Sequence, residues 1–114
     1  MDAAELFGEF QDRHIAHLVY EGPYRLHRRA EAQQDLFTLL RFFEDWRQRI
    51  YRFENRLGAS AVLYQPLHQA RMRWDLIITE VLGEEPFAFR YADSVKRNLK
   101  WDDVQSILDG IKER

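Results

Sequence analysis

Two histidines and a glutamate near the amino end are the first residues whose spacing could do chemistry. His14, His17 and Glu21 follow an H-x2-H-x3-E pattern. On a helix of 3.6 residues per turn the three side chains fall on one face within one to two turns. Two imidazoles and a carboxylate so placed could hold a divalent metal with help from a facing helix. No acid stands three residues before any histidine, so the Glu-x-x-His pattern of di-iron bundles is missing, and His27 and His68 are isolated. The same face carries Phe7, Phe10 and Leu18. The plainer expectation is therefore packing histidines at the margin of a core, with neither a metal nor a cofactor.

The second constellation is cationic. On a helical wheel Arg41, Arg49, Arg52 and Arg56 fall within an arc of roughly 80°, a ridge about 22 Å long, with Asp45 as the single acid in it. Phe37 and Tyr51 flank the ridge on one side. Arginines in a row beside aromatic rings can bind phosphates, and equally an acidic protein surface. A solvated face held by i,i+4 pairs of Asp45 with Arg41 and Arg49 is the competing reading. The third constellation is aromatic: Phe87, Phe89 and Tyr91 alternate after Pro86, which suits an extended arm with three rings on one side. Such an arm either docks on another chain or folds over the end of its own core.

Catalytic signatures are missing. Ser60, Ser94 and Ser106 stand in no motif that would activate a nucleophile, and no Gly-rich phosphate loop occurs. Glu44-Asp45, Glu84-Glu85 and Asp102-Asp103 are sequence neighbours, which on a helix point apart and do not converge on one substrate atom.

The elements that would position these residues follow from the punctuation at Gly22-Pro23, Gly58, Gly83 and Pro86. A first helix is expected from about Asp2 to Tyr20. A second runs from near His27 to Leu57, with Leu36, Leu39, Phe43, Trp46, Ile50, Phe53 and Leu57 as a heptad seam and Gly58 as its C-terminal cap. A third covers roughly Ala61 to Leu82, with Leu63, Leu67, Ala70, Trp74, Ile77 and Val81 stepping by four and three. A turn over Ser94 to Leu99 leads into a last, shorter helix, with Asp102 and Gln105 as a cap pair and Trp101, Val104, Leu108 and Ile111 inward. The expected fold is all-α: one domain over 1–114, an antiparallel helical bundle of three long helices plus a shorter C-terminal helix. Residues Leu36 to Phe43 are apolar on nearly all sides, which calls for cover by other helices or by a second copy in a dimer.

Composition bounds what such a fold could do. A chain of 114 residues that is 46% hydrophobic and 32% charged, with 8 Phe, 5 Tyr and 3 Trp, can bury a core of its own. The absence of cysteine excludes disulfides and thiolate metal sites. No apolar run reaches the ~20 residues of a membrane span, and the acidic start lacks the basic region of a secretory signal, so a cytoplasmic location is expected. Net charge is −2, yet residues 25–57 hold eight arginines against five acids. Taken together these features point to a non-enzymatic protein-binding module: a small adaptor, an inhibitor or immunity-type factor, or a subunit of a larger assembly. It would act through the arginine ridge and the aromatic arm on an acidic protein surface, or self-associate as an oligomer. A nucleic-acid-binding accessory protein is the first alternative, although binders of nucleic acid are usually basic. A metal-dependent bundle enzyme is the second.

Overall fold

The computed structural model describes residues 11–24, 47–64 and 72–114. In place of a helical bundle, the described residues form a six-stranded antiparallel sheet with one C-terminal helix. The strands are β1 (Leu18–Pro23), β2 (Arg47–Arg52), β3 (Leu57–Tyr64), β4 (Arg73–Val81), β5 (Phe89–Tyr91) and β6 (Lys96–Leu99), followed by helix α1 (Trp101–Lys112). The order across the sheet is β1-β2-β3-β4-β5, and β6 pairs the other end of β4. A 3-10 turn, Ile15–His17, leads into β1.

The expected bundle fails at each of its three long helices. Of the first, the described part is the 3-10 turn and a strand. Residues 47–57 of the second form β2, a tight turn and the start of β3. Of the third, the described part belongs mainly to β3 and β4. The remainder of these helices, with Phe37, Arg41 and the Leu36–Phe43 stretch, lies outside the described residues.

The physical reason lies in two-sided burial. Gln48, Arg49, Ile50 and Tyr51 are consecutive and all buried, as are Gly58 through Val62 and Leu63. A strand covered on both faces reads as a continuous apolar run with no period-two alternation, and a helical wheel fits such a run as readily. The β-branched cluster Ile77, Ile78, Thr79 and Val81 favours the pleated conformation that β4 adopts.

Register assigns the faces. Arg49↔Ala61 and Ala61↔Leu76 put Arg49, Tyr51, Ala59, Ala61, Leu63, Trp74, Leu76 and Ile78 on the side that α1 covers. Val104, Leu108 and Ile111 of α1 close this core, and Trp101 stacks on Trp74 with centroids 4.8 Å apart. Each fully buried aliphatic there contributes roughly 1.5–3 kcal/mol. The inward face expected for the last helix is the one observed, but its cap is not. The Lys100 backbone N–H donates to the Asp103 carboxylate at 3.0 Å, rather than Asp102 pairing with Gln105. In the segment Ser94–Leu99, where a helical turn is expected, residues Lys96–Leu99 form strand β6.

Gly58 is not a helix cap either. It opens β3 opposite Arg52, buried, where a Cβ would overlap the Tyr51 carbonyl oxygen. The turn before it is held by Asn55. Its side-chain amide donates to the carbonyls of Ile111 (2.7 Å) and Arg114 (3.2 Å), and its Oδ1 accepts from the Leu57 N–H (3.1 Å). The hairpin turn is thereby tied to the end of α1. Arg56, next in the turn, has φ 69°, the left-handed region that costs an L-residue roughly 1–2 kcal/mol.

Candidate functional site

The densest polar constellation joins the segment before β1 to the sheet and the helix. Asp12 is at its centre, with a side chain only 3% exposed. Its Oδ2 accepts from Arg49 Nη1 (2.9 Å) and from the Tyr51 hydroxyl (2.6 Å). Its Oδ1 accepts from the His14 N–H (2.9 Å) and from Gln105 Nε2 (3.2 Å). The carboxylate is thus surrounded by four donors, which is what a buried charge requires. Arg49 continues the network through Nη2 to Glu21 at 3.1 Å, and its guanidinium lies 5.6 Å from the Trp101 ring centroid.

Further along the segment, Arg13 pairs with Asp109 at 2.6 Å, and His14 Nε2 meets the other oxygen of Asp109 at 2.7 Å. Slight burial pushes the Asp109 carboxyl up, but the hydrogen bonds and charges of His14 and Arg13 outweigh it and hold it below the usual carboxylate range. His14 is buried, and its Nδ1 has no hydrogen-bond partner among the described residues. Both histidines pack their rings on Phe53, with centroids 5.6 and 4.9 Å away.

This geometry separates the residues that the H-x2-H-x3-E reading grouped. His14 faces Asp109, His17 faces Phe53 and Glu21 faces Arg49. Among the described residues no three His, Cys, Asp or Glu side chains are placed to hold a metal ion. These contacts tie the 11–17 segment to the sheet and to α1.

Burial pushes the Tyr51 phenol far above its ordinary value, the Asp12 hydrogen bond and charge add to the shift, and Arg49 opposes it. Tyr64, half-buried and donating to Asp75 at 2.7 Å, is raised for the same reasons to a smaller degree. Folding therefore favours the neutral phenols. The stability they contribute is complete below the free phenol pKa of about 10 and is lost as pH rises above it. Denaturant melts between pH 9 and 12 are expected to show stability falling from about pH 10, by up to ~1.4 kcal/mol per pH unit for each buried phenol. A flat profile over that range would exclude the coupling.

Among the described residues Arg49, Arg52 and Arg56 do not line one surface; Arg41 lies outside them. Adjacent strand residues point to opposite faces, so Arg49 goes inward to Asp12, whereas Arg52 lies on the other face. There Arg52 donates to the main-chain carbonyls of Glu84 (2.9 Å) and Glu85. Tyr51, expected at the ridge's flank, is fully buried. Arg56 alone of the four is exposed among the described residues.

The aromatic arm is where the alternation put it. Phe87, Phe89 and Tyr91 form a row with 6.2 Å between successive centroids, half-buried on the face opposite α1. Tyr20 of β1 meets Phe87 at 4.9 Å, so the arm folds back across its own sheet as far as the opposite edge strand.

No protein-family model, curated protein or solved structure matches the chain. Sequence reasoning passed over Asp12 and Asp109, read Gln105 as a helix cap and saw Leu82 only as the end of a helix. The long-range partners of Asp12, Gln105 and Asp109 lie between 37 and 96 residues away in the chain, a separation that no local pattern encodes. Leu82 carried a usable signal: a large apolar residue directly before Gly-Glu-Glu-Pro, at a loop entrance.

Proposed function

We propose that this chain is a non-enzymatic protein-binding module that presents a pre-organised loop. The supporting observation is the β4–β5 connection. Its aromatic row is seated against Tyr20 and its backbone is pinned by Arg52, yet Leu82 at its entrance remains 57% exposed and Glu84 and Glu85 are exposed beside it. A loop held rigid by its scaffold while offering an apolar side chain loses little entropy on binding.

Strand addition at a sheet edge is the less favoured mode. β1 carries a register shift between Leu18 and Tyr20 and ends on Pro23, two devices that blunt edge pairing. The opposite edge is divided between β5 and β6, of three and four residues. A partner would then read side chains. Nucleic-acid binding loses its main support, because Arg49 and Arg52 are engaged internally.

The test is affinity purification from nuclease-treated native extract, comparing the wild type with Leu82→Ser/Glu84→Lys. Both positions are exposed, so the fold should tolerate the change. A stoichiometric protein retained by the wild type and lost by the variant is the expected result. Equal recovery by both, or a catch that disappears with nuclease, overturns the proposal.

A further inference from the structure

Residues Gln11 to His14 form a strap whose attachment is polar. None of the four has an aliphatic side chain. The Gln11 carbonyl accepts from Trp101 Nε1 at 2.9 Å, and the Arg13 N–H donates to Gln105 Oε1 at 2.9 Å. Asp12 enters the buried cradle of Arg49, Tyr51 and Gln105, and Arg13 and His14 share Asp109. Directional and charged hydrogen bonds of this kind fix a single register, so the groove between α1 and β2 is specific for this segment.

The joint between strap and sheet is built in the opposite way. Ile15–His17 is a 3-10 turn whose N-cap residue, His14, makes no side-chain cap bond. Main-chain bonds from the His17 N–H to the His14 carbonyl (2.9 Å) and from the Leu18 N–H to the Ile15 carbonyl close it. Next, Leu18↔Tyr51 and Tyr20↔Ile50 leave Val19 as the extra residue of a bulge. Ile15 and Val19 are 58% and 42% exposed, two of the three large apolar side chains so placed among the described residues. In extended backbone Ile15, His17 and Val19 point to one side, so straightening the joint would turn two isolated apolar residues into one strip.

We propose that residues 11–14 are an exchangeable strap and that their partner is a second copy of this chain. The 15–19 joint straightens, each strap docks in the other copy's groove, and the two joints run antiparallel across a two-fold axis. The occupant is the segment already seen to fit the groove. Because every strap contact to α1 and β2 is remade between copies, those contacts cancel, and the joint decides the balance. Its two main-chain bonds give way to pairing between the joints, and Ile15 and Val19 leave water against their counterparts, which offsets the entropy lost on association. Five extended residues span about 16 Å, more than the ~10 Å diameter of the helix beside the strap, so the joint can carry it clear of its own groove. The exchange uses neither Leu82 nor the β4–β5 loop, and stands or falls apart from the function proposed for them.

The chain has no cysteine, so engineered thiols report only their own pairing. Arg13 and Asp109 meet at 2.6 Å, and both side chains reach the surface. Arg13→Cys and Asp109→Cys are made as separate full-length chains, unfolded, mixed, refolded together at high concentration and oxidised. A disulfide between these two positions then forms only if a strap docks in the other copy. The control replaces Asp109→Cys with Arg90→Cys, an exposed position on β5 at the opposite side of the sheet from β1. Heterodimer yield should exceed the control about tenfold or more, because docking raises the effective thiol concentration. Light scattering of the wild type should show twice the monomer mass at high concentration. Ile15→Asp/Val19→Asp, at two exposed positions, should raise the concentration needed for dimer at least about tenfold. A wild type that stays monomeric at every concentration overturns the proposal. So does a dimer that Ile15→Asp/Val19→Asp leaves unchanged, or whose disulfide yield equals the control, since either associates through another face.

Discussion

Replacing Asp12 with alanine is expected to cost about 3–5 kcal/mol of stability, a large share of what a domain of this size has. The substitution takes from buried Arg49 its buried carboxylate partner and removes the acceptor of the Tyr51 hydroxyl. It also frees the His14 N–H and Gln105 Nε2. The cost comes less from the lost attraction than from stranded donors and a buried charge left to the more exposed Glu21 carboxylate. A double-variant cycle separates these. Arg49→Met alone strands the carboxylate, whereas Asp12→Ala combined with Arg49→Met removes both charges and should recover a substantial part of the loss. Equilibrium urea unfolding of the four proteins reads the result directly. An Asp12→Ala cost below about 1 kcal/mol would place the pair among weak surface bridges and contradict the network.

Gly58→Ala is expected to be nearly as damaging, about 3 kcal/mol or more, although it adds a single methyl group. The added Cβ would overlap the Tyr51 carbonyl oxygen and stand 3.1 Å from Thr79 Oγ1. Backbone cannot swing aside as a flexible side chain can, so β2 and β3 must separate where the hairpin closes. The backbone conformation of Gly58 is not the cause, because no glycine in the described residues has positive φ. Close approach alone demands it. Gly110→Ala is the matched control: nothing lies within 4 Å of its Cβ, and alanine favours the helix, so this variant should be as stable as wild type or more so. Thermal unfolding of the two proteins side by side tests the contrast, and similar midpoints for both would refute it.

Legibility in the sequence followed locality. The last helix was readable because Trp101, Val104, Leu108 and Ile111 cover one face of an otherwise polar segment, and that one-sidedness is what periodicity detects. The arm was readable because alternation of Phe87, Phe89 and Tyr91 is itself the signature of extended backbone. The heptad seams misled for a reason visible in Ile50, Phe53 and Leu57. Their three- and four-residue spacing spans a strand, a tight turn and the next strand, so it is a coincidence of counting, not one continuous face. A better local guide stood in the same residues: Glu54-Asn55-Arg56 is a turn composition between two apolar runs, and Ile77-Ile78-Thr79 is β-branched.

The candidate site was the least legible part. The alignment of Arg49, Arg52 and Arg56 was a product of the assumed helix, and over residues 47–57 that helix is replaced by strands. In a strand an odd spacing sends two residues to opposite faces, so Arg49 and Arg52 cannot share a surface.

By itself the sequence determined the local matters: an amphipathic C-terminal helix, an extended aromatic arm, a chain rich enough in aromatics to build a core, and no thiol chemistry. Among the described residues no helix is long and apolar enough to cross a membrane. Tertiary structure decided that the central segments are strands, because burial on both faces erases the alternation that would reveal them. It also decided that Arg49 is a structural cation while Arg56 is an exposed one. That difference depends on which carboxylate arrives from 37 residues away, and chain separation on that scale leaves no trace in local spacing.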